Sequence, residues 1–201
     1  MKQIIILVLV LLVSCNAGGD KTSAMQKDPI LTKVFTTEEI SDLQMIVDYF
    51  DKSLLGNADD FDSLYQQFFR KIDKSESYDI LISKIHLDAP EFQTMLSHLK
   101  ESGVYDEIWV EFINKLNNKK TLDFNLKGKY FQFLKLMSNE YPFLKNYISS
   151  IESMGGNNVS AQAGMNKIYY SKVDFNKPVI RLIWAVHYIT VVSRIENSFR
   201  K

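Results

Sequence analysis

A single cysteine, three histidines and a run of lysines offer the most chemistry in this 201-residue chain. Cys15 is alone, which excludes an internal disulfide and a multi-cysteine metal site. His86, His98 and His187 belong to no HExxH motif and pair with no cysteine at metal-ligand spacing, so no metal centre is expected. His187 sits in an apolar stretch and reads as a hydrogen-bonded core residue, whereas His86 and His98 read as surface residues. GxSxG, P-loop and GxGxxG motifs are absent. Glu38-Glu39 and Asp59-Asp60 lie where helices begin, and carboxylates favour the positive end of a helix dipole. Asp106, Glu107 and Glu111 read as a solvated helical cluster, with Glu107 and Glu111 four residues apart on one face. With no catalytic constellation and no cofactor site to nominate, the expected role is non-enzymatic.

The strongest local charge asymmetry is basic. Lys115, Lys119, Lys120, Lys127, Lys129 and Lys135 follow one another with only Asp123 among them. One reading is a patch for a polyanion such as a glycosaminoglycan, centred on Lys115, Lys119, Lys120, Lys127 and Lys129. The other is a solvated loop between helix ends, where lysines suit the negative end of the dipole. The chain as a whole has 24 basic and 24 acidic residues, a balance that provides no global field to hold nucleic acid.

Cys15 gains meaning from what precedes it. Met1 and Lys2 form a short positive start, and Ile4 to Val13 is an unbroken apolar run of ten residues. Spanning a bilayer takes about 20 residues, so this run fits the apolar region of an export signal instead. Leu12-Val13-Ser14-Cys15 then resembles the bacterial lipobox. The resemblance implies a diacylglyceryl group on the Cys15 thiol, cleavage before Cys15 and acylation of the new amino terminus. Two or three acyl chains hold a protein stably where one does so marginally. The expected organisation is a signal peptide over 1–14, a lipidated flexible tether over 15–34 and a globular domain over 35–201. Gly18, Gly19, Asp20, Lys21 and Pro29 make the tether segment polar, with no apolar period.

The remainder must fold around a core. Hydrophobic residues are 46% of the chain and aromatics 12%, too many for a disordered chain, while 8 Gly and 4 Pro are few for an all-β protein. Thr36 and Glu39 form a capping box, followed at helical spacing by Ile40, Leu43, Ile46, Val47 and Phe50. Asp60 caps a second helix with Phe61, Leu64, Tyr65, Phe68 and Phe69, and a third runs through Tyr78 to Ile85. Asp88-Ala89-Pro90-Glu91 starts a fourth with Asp88 as N-cap, ended by Gly103, and a fifth carries Val104 to Leu116. Asn117 to Asn125 reads as a polar loop. Further helices hold Tyr130 to Leu136, Pro142 to Ile151, and Ser160 to about Tyr170. The last, from Pro178 to about Ser198, is apolar nearly all round, the mark of a central helix. Arg181, His187 and Arg194 argue against its crossing a membrane. The fold expected is all-α: one compact domain of seven to nine helices around the C-terminal helix.

Two families share features with these residues. The whole plan resembles plasmid-encoded outer-surface lipoproteins of Borrelia: a lysine-led signal, Ser14-Cys15-Asn16, a polar tether and a helical domain. Leu126-Lys127-Gly128-Lys129-Tyr130-Phe131-Gln132-Phe133-Leu134 and Ile180 to Tyr188 are similar to segments of that group. That resemblance implies display on the bacterial outer membrane and attachment to a host protein or glycan. Separately, Ala89-Pro90-Glu91-Phe92 through Leu116 resembles a half-repeat of the insect midgut family built on the cockroach-allergen repeat. It implies a helical carrier enclosing lipid or another small ligand, with a duplicated unit that is not found here. Oligomeric state is open on either reading.

Overall fold

The computed structural model describes residues 23–55, 60–75, 79–114, 118–156, 165 and 173–199. Nine α-helices and one β-hairpin make up these residues. The chain is therefore mainly α, and the all-α expectation is corrected by a two-stranded antiparallel sheet.

After a 3-10 turn at Met25–Lys27 come α1 (Leu31–Val34), α2 (Thr37–Leu55), α3 (Phe61–Ser75), α4 (Asp79–Ile82), α5 (Pro90–Ser102) and α6 (Val104–Ile108). Strands β1 (Trp109–Asn114) and β2 (Lys119–Phe124) follow, then α7 (Lys129–Glu140), α8 (Phe143–Met154) and, labelled α9, the helix Pro178–Phe199. The expected helix from Ser160 lies outside the described residues apart from Met165, which is buried.

Local chemistry explains several boundaries. The capping box at α2 is reciprocal: the Thr36 N–H donates to Glu39 Oε2 at 2.8 Å, and the Glu39 N–H to Thr36 Oγ1 at 3.2 Å. Asp60 Oδ1 accepts from the Ser63 N–H and caps α3. Gly103, at φ +82°, supplies the left-handed residue that ends α5. The start of α5 differs from expectation: Ala89, not Asp88, is its N-cap, with no side-chain cap bond, because Pro90 already occupies the first helical position.

Two corrections matter for function. The folded part starts before residue 35, since Met25, Ile30 and Leu31 are all in the core. The polar residues of this stretch cap and turn it: Asp28 Oδ1 accepts from the Ile30 and Leu31 N–H groups, both at 2.9 Å. The helix expected across Val104 to Leu116 gives way after Ile108 to β1, which pairs with the expected loop: Trp109 opposite Phe124, Glu111 opposite Leu122, Ile113 opposite Lys120. Trp, Val, Phe and Ile within six residues are strand formers, and β1 runs from Trp109, buried against the core, out to Phe112 and Ile113, which are exposed.

α9 is the axis of the molecule, with every residue from Val179 to Ser193 buried. By length and composition Pro178–Glu196 could cross a membrane, but 83% of that apolar window is buried inside the protein, as in a core helix. α2 and β2 pack along α9, α7 packs on α8, and α8 meets α9 through Phe143 on Trp184 and Tyr147 on His187. Phe50, Tyr65, Phe69, Phe175, Trp184 and Tyr188 stack on one another at its amino-terminal half. These rings, including five the sequence marked as α2, α3 and α9 residues, fill each other's space.

Candidate functional site

The polar side chains form an inner set on α9 and an outer set around the hairpin. Within the core, Arg181 Nε donates to Asp51 Oδ2 at 2.9 Å, and its Nη1 to the Phe175 carbonyl at 2.6 Å. The Tyr65 hydroxyl donates to the other Asp51 oxygen. The guanidinium also lies 4.0 Å from the Phe61 ring centre. Burial pushes the Asp51 carboxyl upward against the pull of Tyr65 and Arg181. One turn and a half further on, His187 Nδ1 lies 3.0 Å from the Tyr147 hydroxyl. Burial holds His187 neutral by lowering its pKa to about 3. Further along, Thr190 Oγ1 accepts from Trp109 Nε1 at 2.8 Å, and Ser193 Oγ accepts from the Leu122 N–H at 3.0 Å. These bonds tie the hairpin to the axis. His187 is thus the hydrogen-bonded core residue the sequence indicated, out of reach of any substrate in solution.

The outer set centres on Glu111. Its Oε1 accepts from Lys100 Nζ and from the Tyr105 hydroxyl, both at 2.9 Å, and its Oε2 accepts from Lys120 Nζ at 2.8 Å. Lys120, Lys100 and Tyr105 together lower the Glu111 pKa to about 2. This carboxylate is not part of a helix face with Glu107. Glu107 is on α6, where its Oε2 accepts the Lys129 N–H at 2.7 Å. A cleft of about 660 Å³ runs between Lys100, Tyr105, Val110 and Asn125 beside this network. A second groove, about 520 Å³, lies between α2 and α5, with Met45, Tyr49 and Met95 along it and Asp48, Lys52 and Glu91 at its rim.

The lysines of the sequence run do not converge. Lys119 and Lys120 are neighbours on a strand and point to opposite faces. Lys120 is held by Glu111, and Lys129 Nζ by Glu39 Oε1 at 2.5 Å. Lys135 is held by Glu152 at 2.7 Å. Lys127 is exposed on the turn before α7, at the far end of β2 from Lys119. Lys115 and Cys15 lie outside the described residues. Burial works upward on Glu39, yet Lys129 and the Thr36 N–H bring its pKa below the ordinary value.

Gly128 brings the start of α7 against α6: a Cβ there would overlap the Glu107 carbonyl. His98 Nε2 lies 2.8 Å from Asp42 Oδ1 at the surface. Among the described residues, no group of three or more His, Cys, Asp or Glu side chains is arranged to hold a metal ion. The sequence reading missed the Arg181–Asp51–Tyr65 cluster and the hairpin. Arg181 was a usable signal, because an arginine inside an apolar helix requires a buried acid somewhere. No family model, curated protein or solved structure matches the chain.

Proposed function

We propose that the protein is a bacterial surface lipoprotein, anchored in the outer membrane through lipid on Cys15, whose helical domain binds a host macromolecule without catalysing a reaction. The observation that carries the reading is Leu12-Val13-Ser14-Cys15 directly after ten apolar residues, with the chain's only cysteine at the lipid-bearing position. Support also comes from the hairpin, where Phe112 is 52% and Ile113 60% exposed; among the described residues the other exposed large apolar side chains are Leu136 and Met154. In cells making the protein, Cys15→Ala should abolish lipid labelling and membrane association, and protease added to intact cells should remove the unaltered protein. Unchanged processing of the variant would end the anchor; protection in intact cells would end the host-facing role.

A second reading, a tethered carrier of lipid or another small ligand, draws on the Met45–Tyr49–Met95 groove, whose size suits a small apolar ligand. Mass spectrometry of material released from the purified protein separates the two.

A further inference from the structure

The point where folding begins limits how far the domain can stray from an anchor at Cys15. Met25 is fully buried, and Ser23 is already bonded to Gln26. Only seven residues lie between Cys15 and Ser23, eight residue steps in all. Whatever their conformation, these residue steps reach at most about 26–29 Å. A tether continuing to residue 35 would reach about 66–72 Å and impose no orientation.

The chain joins the fold at one end of the axis. Ala24, Asp28 and Pro29 line a cleft with Asn176, Lys177 and Pro178, just where α9 begins. The hairpin lies toward the other end. Trp109, opposite Phe124, bonds to Thr190, and Leu122 bonds to Ser193. Followed from Phe124 back to Lys119, β2 therefore runs in the same direction as α9. Pro178 to Ser193 is about 22 Å of helix, and Leu122 to Lys119 adds about 10 Å of strand. The exposed part of the hairpin is then about 30 Å from where the chain joins the fold.

We propose that the anchored domain sits with the start of α9 and the α7–α8 turn against the lipid headgroups, and holds the hairpin outward, away from the bilayer. This rests on lipidation of Cys15. Inverting the domain would require the chain between Cys15 and Ser23 to span the length of the axis, about 30 Å, which is at its extended limit. A chain pulled to that limit loses its conformational freedom, which opposes inversion. The pose is set by tether length and needs no charge attraction to the bilayer.

The test uses the full lipidated chain in phosphatidylcholine vesicles carrying an acceptor dye on the lipid headgroup. The Cys15 thiol is consumed by lipid, so one added cysteine takes a donor dye: Asn176→Cys near the start of α9, or Ile113→Cys on the hairpin, both exposed positions. Energy transfer should be several-fold higher from position 176. Equal transfer, or higher transfer from position 113, overturns the pose. Inserting about twelve Gly and Ser residues after Asp20 should erase the difference; a difference that survives the insertion overturns the tether as its cause. Cys15→Ala is the separate control for the anchor: if it binds the vesicles as the lipidated protein does, the lipoprotein reading fails, whereas an anchored protein with equal transfer fails the pose alone.

Discussion

Arg181–Asp51 in the core and Lys100–Glu111–Lys120 beside the hairpin are built from the same kinds of charged group, yet they do different work. Arg181 and Asp51 are 6% and 7% exposed, so each charge depends on the other and on Tyr65 and the Phe175 carbonyl in place of water. Lys100 and Lys120 have side chains 48% and 71% exposed, and water can replace Glu111 at little cost. The contrast teaches that the axis helix uses polar groups to fix which elements dock on it, while the hairpin's charges keep an apolar strand pair soluble. It also separates stability from display: the residues that hold the fold are not those a partner can touch.

Four substitutions test that contrast, from the largest effect to the smallest. Arg181→Ala leaves the Asp51 carboxylate buried without its cation and should cost about 3–5 kcal/mol in urea unfolding. A loss below 1 kcal/mol would mean that Asp51 finds another partner. His187 gives a pH effect with a definite sign. Its folded pKa of about 3 lies below the ordinary 6.5, so the unfolded chain takes up the proton first. The His187 contribution is complete above about pH 6.5 and is lost as pH falls toward 3, at roughly 1.4 kcal/mol per pH unit. His187→Phe should remove that slope from a stability profile; a profile parallel to the parent's would show that the imidazole is reached by water.

Trp109→Phe keeps an aromatic ring at the base of β1 but deletes the bond to Thr190, and about 1–3 kcal/mol should be lost. Circular dichroism should still show the parent's helical content, because the hairpin docks on α9 and does not build it. Glu111→Gln weakens the outer network and should change stability by less than about 1 kcal/mol, with that small change vanishing in high salt. A loss as large as that of Arg181→Ala would erase the distinction between the two networks.

Much of the helical framework was legible in the chain because its signals are local. Thr36 and Glu39, Asp60, Gly103, Pro142 and Pro178 mark helix ends through bonds and backbone angles made within a few residues. The even apolar coverage of Val179 to Val192 likewise marked α9 as central before any neighbour was known. The lipobox is local too, being four residues behind an apolar run.

What the tertiary structure decided depends on partners far apart in sequence. Val104 to Leu116 has apolar residues that suit either a helix or a strand, and the choice fell to the pairing of Trp109–Asn114 with Lys119–Phe124 and the docking on Thr190 and Ser193. Residues 23–34 look like tether because they are polar and lack a period. Met25, Ile30 and Leu31 nevertheless find a core made by α2 and α7. The lysine run read as one patch in sequence, but a strand turns successive side chains to opposite faces, and Glu39 and Glu111 are supplied by elements that no local pattern places beside it. Sequence alone determined where the helices start, which of them is central, and that Cys15 stands where a lipid-bearing cysteine would. The three-dimensional fold decided that Met25, Ile30 and Leu31 belong to the core and which end of the molecule the hairpin occupies, because both follow from contacts between distant residues.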